Sequence, residues 1–211
     1  MMAGKTKSTL VRLDGITPQP WKNGAGTTRE LLVSPSPLHW HCRISVANID
    51  RDAPFSSYPQ VQRWFTVIDG AGVALRFSSA LPPAPSDTAE LLLTCDDAPL
   101  SFDGSQTPTC RLLAGPTRDL NLMLRSINGG MQRAAPNTEW RSTGAQAGLF
   151  TARSGRLLLA SGERIDMPAM SLLWFEQAAG LTLQFQPETE TRLDTVVSSL
   201  ASPAWWLYCG G

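Results

Sequence analysis

Residues 118–125 alternate so cleanly that an extended strand suits them best. Leu120, Leu122 and Leu124 fall on one side, and Asp119, Asn121, Met123 and Arg125 on the other. Short segments of the same kind recur along the whole chain, at 10–13, 27–34, 39–47, 61–68, 73–77, 90–94 and 110–113. They continue at 147–152, 156–160, 171–175, 181–185 and 192–197. Turn chemistry separates them: Asp69-Gly70-Ala71-Gly72, Asn128-Gly129-Gly130 and Ser154-Gly155 all suit hairpins. Sixteen prolines and seventeen glycines oppose long helices, so a helix is expected only as a short piece near residues 194–200. The chain reads as an all-β, strand-after-strand barrel.

At 211 residues and 42% apolar content, one large β domain with a sizeable core is affordable. A weak internal echo refines this. Residues 61–77 read strand, glycine hairpin, strand, and are followed by 90–94 and by Ser101-Phe102-Asp103-Gly104. Residues 148–160 repeat the theme and are followed by 163–167 and 172–175. Two copies of one β-rich unit would explain length and spacing together, joined near Pro136 and Asn137. The proline-rich residues 81–87 read as an exposed loop.

Eighteen basic residues balance eighteen acidic ones, and no basic stripe offers a footprint for nucleic acid. Nothing resembles a polybasic helix for a membrane surface, a signal peptide or an apolar run of spanning length. The expected location is the cytoplasm. The four cysteines (Cys42, Cys95, Cys110 and Cys209) are widely spaced and read as reduced thiols.

Trp21-Lys22-Asn23-Gly24-Ala25-Gly26-Thr27-Thr28-Arg29-Glu30 is the most unusual stretch. It sets a tight glycine turn before a strand that starts with polar residues, where two glycines permit positive φ and close backbone approach. Asn23 suits the turn and has an amide to offer a ligand. Arg29 and Glu30 point in opposite directions unless a bulge intervenes. It is no phosphate-binding loop, because the lysine precedes the glycines and no helix follows. On the expected strand 39–47, His39 and His41 would share a face, as a metal site requires. Nothing marks Glu30, Asp50, Asp103 or Asp119 as further ligands, so the pair reads as an edge-strand feature and no metal or other cofactor is expected. Arg43 follows in phase with His41, and Arg63 opens the next long strand. If the polar face of residues 118–125 lines a barrel mouth, Asp119 and Asn121 meet a small molecule; if not, it is a solvated face. Arginines suit a carboxylate because the guanidinium presents paired donors in a planar fork.

These residues resemble a known family. The 21–30 segment is similar to the WxNGxGxTRE opening of the HutD/Ves family. The likeness continues through Arg43-Ile44-Ser45-Val46-Ala47, Phe55-Ser56, Arg63, the Ile68-Asp69-Gly70-Ala71-Gly72 turn and Asp119-Leu120-Asn121-Leu122-Met123. It covers about the first 125 residues; the last third agrees only in β pattern and length. The resemblance implies a cupin-like β-barrel or jelly roll, a bicupin with a first unit over about 10–130 and a second over about 131–200. It also implies a link to histidine utilisation, by sensing or binding an intermediate such as urocanate or formylglutamate rather than by catalysis. The usual cupin metal motif is absent from that family.

Carried over residue by residue, the ligand site would comprise Asn23, Arg29, Glu30, Arg43, Arg63, Asp119 and Asn121. The arginines would hold a carboxylate, Asn23 and Asn121 would orient its polar groups, and Glu30 and Asp119 would hold the arginines in place. The alternative is a metal-independent isomerase or hydrolase that acts on a small organic acid through Glu30 or Asp119. A third reading rests on Ala204-Trp205-Trp206-Leu207-Tyr208, apolar enough to dock on the domain or on a second copy as a homodimer.

Overall fold

A computed structural model of the protein describes residues 7–77, 90–188 and 203–210. The expected helix near 194–200, the strand at 192–197 and the proline-rich loop at 81–87 lie outside the described residues. Within them the fold is all-β, with a single 3-10 turn at Leu13–Gly15 and no α-helix. No described helix is long and apolar enough to cross a membrane.

The chain opens with β1 (Ser8–Arg12), β2 (Gln19–Pro20), β3 (Gly26–Ser34), β4 (Cys42–Ile49) and β5 (Ala53–Pro54). There follow β6 (Val61–Asp69), β7 (Val73–Arg76), β8 (Leu91–Leu93), β9 (Leu100–Asp103), β10 (Thr109–Leu112) and β11 (Thr117–Arg125). The remainder forms β12 (Gly129–Arg133), β13 (Glu139–Arg141), β14 (Gln146–Thr151) and β15 (Gly155–Leu159). It ends with β16 (Arg164–Met167), β17 (Ser171–Phe175), β18 (Thr182–Pro187) and β19 (Ala204–Cys209).

Two compact units result, one over Ile16–Ile127 and one that joins Asn128 onward to β1. The sequence placed residues from about 10 in the first unit; β1 instead pairs antiparallel with β17, from Ser8 opposite Phe175 to Arg12 opposite Ser171. The first unit sets a six-stranded sheet, β2-β3-β4-β11-β6-β9, against a four-stranded one, β5-β10-β7-β8. Their shared core takes Ile49, Phe65, Val67 and Phe102 from the large sheet and Val73, Leu75, Leu93 and Cys110 from the small one. The second unit repeats the scheme with β1-β17-β14-β19-β12 and β13-β18-β15-β16. Its core draws Leu149, Leu173, Phe175 and Trp206 from one sheet and Leu157, Leu183 and Phe185 from the other. Such two-sheet packing buries one face of every strand, which is what the alternating pattern requires.

The large sheet of the first unit is buried on its other face as well. Leu120, Leu122 and Leu124 are essentially inaccessible there, as are Ile44 and Val46 on β4. The polar face of β11 is thus turned into the interior of the unit rather than into solvent.

Two sequence readings are corrected and a third is made specific. His39 and His41 are not on a strand. Ser34 pairs opposite Cys42, and prolines 35 and 37, which have no N–H to give a ladder, leave both histidines in the connecting bend. The His41 backbone N–H donates to the Ser34 carbonyl at 2.8 Å. Gly129 and Gly130 do not form a hairpin turn; they open β12, facing Cys209 and Tyr208. A Cβ on Gly130 would sit 2.7 Å from the Tyr208 hydroxyl, so the glycine serves close approach. The apolar tail docks on the domain, one of its two expected places. It is β19, paired on both sides between β14 and β12, with Trp205 and Trp206 fully buried on opposite faces. A strand buried on both faces reads as an unbroken apolar run, which hides its period.

Candidate functional site

The first unit encloses a cavity of about 600 Å³. Most members of one grid of cross-strand neighbours from β3, β4, β11 and β6 line it. Thr28, Ala47, Asp119 and Val67 form one row; Glu30, Ser45, Asn121 and Phe65 the next; Val33, Arg43, Met123 and Arg63 the third. A bulge at Leu31, between Glu30 and Leu32, restores the phase that brings Glu30 and Arg43 to the same face. The Arg43 guanidinium donates to Glu30 Oε1 and rests 5.2 Å from the Trp40 ring. That pair is partly exposed, at 25% and 28% of its side-chain surface.

Arg63 is different. Only 5% exposed, it is ringed by Phe102, Phe55 and Tyr58 at 5.0, 5.2 and 5.6 Å. Its two terminal nitrogens donate to the Ser56 carbonyl and to Asn121 Oδ1, both at 3.3 Å, and its Nε has no partner. Among the described residues no carboxylate lies within ion-pair distance. Burial lowers its pKa from the usual guanidinium value, while Asp119 and Tyr58 oppose that. An arginine remains protonated at neutral pH even so. The cavity therefore holds a desolvated cation with donor capacity to spare.

Asn121 turns its amide oxygen to Arg63, and its amide nitrogen donates to Asp119 Oδ1. Asp119 is 1% exposed, and its Oδ2 has no hydrogen-bond partner. Burial pushes this carboxyl up from 3.8 to about 7, against the Asn121 hydrogen bond and the Arg63 charge, which lower it. Across the interior the Cys110 thiol is pushed up to about 12 by burial, then by Asp119 and Asp52, so it stays an inert thiol.

The glycine segment forms the rim. Asn23 Oδ1 accepts from the Ala25 N–H at 3.1 Å, Gly24 takes φ +66°, and the Trp21 N–H donates to the Gly26 carbonyl. Trp21 Nε1 donates to Thr28 Oγ1 at 2.8 Å, which fixes the indole at the cavity edge. The Asn23 amide oxygen is thus committed to the turn.

Of the residues chosen from sequence, Asn23, Glu30, Arg43, Arg63, Asp119 and Asn121 line this cavity. Arg29 is not brought there. It lies opposite Val46, on the other face of the sheet, and its Nε donates to the Ile16 carbonyl. Sequence reasoning did not single out Trp21, Tyr58 or Ser56 as site residues, although all three line the cavity. The available signal was Phe55-Ser56-Ser57-Tyr58, two aromatics and two serines in a short loop ahead of Arg63.

The profile of the HutD family matches residues 14–193. The chain belongs to the HutD family. Its relatives include an uncharacterised 21.2 kDa protein in the hutC 3' region of Pseudomonas putida, 29% identical over 75% of this chain and 76% of that protein. Protein Ves of Cronobacter sakazakii is 27% identical over 77% of this chain and 84% of its own. Among solved structures, a conserved protein of unknown function from Pseudomonas aeruginosa PAO1 superposes with a TM-score of 0.78 at 23% identity, over 98% of this chain and 100% of that one. HutD from Pseudomonas fluorescens SBW25, solved in a formate condition, gives 0.76 at 23% identity, over 97% and 98%. Oxalate decarboxylase of Bacillus subtilis gives 0.60 at 7% identity, over 97% and 78%, a likeness of fold alone. The fold of this HutD-family chain is all-β and cupin-like.

Proposed function

We propose that this protein is a non-catalytic binder of a small carboxylate, built as two fused cupin-like units. The first unit would hold the ligand, and the protein would act in the cytoplasm. The observation that carries the reading is Arg63, a buried guanidinium with an unused Nε and two long hydrogen bonds, aimed into a cavity of ligand size. A buried cation without a carboxylate beside it is costly, and an incoming carboxylate removes that cost while accepting paired donors. Asn121 positions the guanidinium from one side and the aromatic ring of Phe55, Tyr58 and Phe102 keeps water off it.

The family is linked to histidine utilisation. The carboxylate would then be an intermediate of that pathway such as urocanate or formylglutamate, and its capture would modulate the pathway. Arg43 stands on the same row as Arg63 with Met123 between them, two strands and thus roughly 10 Å away. That spacing suits a second polar end on the ligand.

Thermal unfolding with formate, urocanate, formylglutamate, histidine and glutamate, each with and without chelator, tests this. A saturating carboxylate should raise Tm by roughly 5–10 °C, from about 2.7 kcal/mol at a hundredfold excess over Kd. No shift with any of the five sinks the reading. A shift abolished by chelator would move the function to a metal.

A further inference from the structure

The Asp119 carboxyl is a buried group that carboxylate binding alone does not use. It lies at the floor of the cavity, 1% exposed, with Oδ1 engaged by the Asn121 amide and Oδ2 unsatisfied. We infer that Asp119 sits in the empty site as a neutral carboxylic acid whose Oδ2 hydroxyl donates to the ligand. The site thereby selects a carboxylate that also carries a hydrogen-bond acceptor, such as a carbonyl or formyl oxygen, and binds it with retention of one proton. This rests on the carboxylate reading above and deepens it.

Geometry supports the neutral form. A buried carboxylate survives in ionised form when an ion pair or two to three donors satisfy it. Asp119 has one donor, and among the described residues no cation within ion-pair distance. The groups that face it from the surrounding elements supply little else. Arg63 on β6 acts on it through space, but its two hydrogen bonds go to Ser56 and Asn121 and none to Asp119. Cys110, on β10 of the opposite sheet, stays a thiol, and its neighbour Asp52 adds only negative charge. On β4 the paired residue is Ala47, and Ser45 lies one row on. Of the other charged groups that line the cavity, Glu30 and Arg43 neutralise each other, and Lys22 in the glycine segment adds a positive charge. The carboxyl pushed up to about 7 agrees with this arrangement.

The two modes of binding differ in sign. A neutral acid offers a hydroxyl to an acceptor, and ionisation above about pH 7 would turn that donor into a second anion facing the ligand carboxylate. Affinity should therefore fall as pH rises, approaching tenfold per pH unit well above 7. An ionised Asp119 would instead accept from a ligand N–H, and affinity would not decline.

Carbon-13 NMR of the aspartate carboxyls, with Asp119→Asn to assign the resonance, reads the ionisation of the ligand-free protein directly. One carboxyl should titrate near pH 7. If every aspartate titrates below about 5, the inference is overturned. Calorimetry with formylglutamate, which has no group titrating near neutrality, should show affinity falling between pH 6 and 8.5. Near pH 7.5, in buffers of different ionisation enthalpy, it should show net proton uptake on binding. Asp119→Asn keeps a donor at the same place, so it should bind with affinity independent of pH and without uptake. Tight binding with no pH dependence in the wild type, or rising affinity with pH, overturns this inference and leaves the carboxylate reading intact. No binding by formylglutamate or formate at any pH overturns both.

Discussion

The two units share one plan, a large and a small antiparallel sheet face to face, and fill it in opposite ways. In the first, the inner face of the large sheet carries Glu30, Arg43, Ser45, Arg63, Asp119 and Asn121 around a cavity, with its apolar core beside it. In the second, the matching face carries Ala147, Leu149, Leu173, Phe175 and Trp206. Trp140 closes that interior by stacking on Trp206 at 4.7 Å and 5°, with Tyr208 at 6.1 Å from Trp140. A two-sheet frame can devote its interior to packing or to recognition. Buried charges bind but weaken the unit that holds them, whereas stacked aromatics do the reverse.

The largest expected effect falls on the filled interior. Trp206→Ala removes an indole that is 1% exposed and leaves Trp140 without its stacking partner. Loss of such a side chain costs about 3–5 kcal/mol. Chemical denaturation should show that loss, while carboxylate affinity, measured below the onset of unfolding, should stay within about twofold. A matching drop in affinity would mean that the second unit is part of the binding machinery.

The next effects fall on the polar interior and should run the other way. Asp119 has its folded pKa raised from 3.8 to about 7. The unfolded chain therefore releases this proton first, so the stability associated with the group is intact below about pH 4 and is lost as pH rises to about 7. At about 1.4 kcal/mol per pKa unit, the upper bound of that loss is about 4 kcal/mol. Asp119→Asn should abolish this slope and be the more stable protein at pH 8, by a margin read from denaturation at pH 5, 6.5 and 8. Arg63→Met keeps an apolar stem among Phe55, Tyr58 and Phe102 and removes the buried charge. Stability should hold or rise slightly, while carboxylate affinity should fall about a hundredfold or more, as is typical when one partner of a buried charge pair is deleted. A large loss of stability with affinity unchanged would make Arg63 structural.

The contrast between units also explains what the sequence revealed. A strand with one buried face, such as β10, announced itself by alternation, and β11 did so although both faces are buried, because one of them is polar. The run Ala204–Cys209 carries apolar side chains on both faces and reads as a tail. Short strands such as β2 and β5 have too few residues to show any period. Within the site, Asp119 and Asn121 were legible as polar residues in phase on one strand, and Arg63 entered through the family resemblance. Arg29 was not separable from Glu30, because the bulge that settles which strand positions share the cavity lies at Leu31. Trp21 and Tyr58 reach the cavity from turns and loops, whose direction no periodicity encodes.

The smallest effect probes the one ion pair in the cavity wall. Glu30 and Arg43 are partly exposed, so their mutual attraction contributes at most about 1 kcal/mol to stability. Glu30→Gln keeps the shape of the wall and a hydrogen bond to Arg43 while it deletes a negative charge from an anion-binding cavity. Stability should change little, and affinity for a carboxylate should improve by roughly two- to fivefold, more at low salt than at high. Such a gain would show that Glu30 restrains Arg43 and that the wall is tuned below its maximum affinity. A loss of affinity that salt does not modulate would instead make Glu30 a direct ligand contact. The polar half of the molecule would then recognise a donor on its ligand at Glu30, in addition to the carboxylate at Arg63.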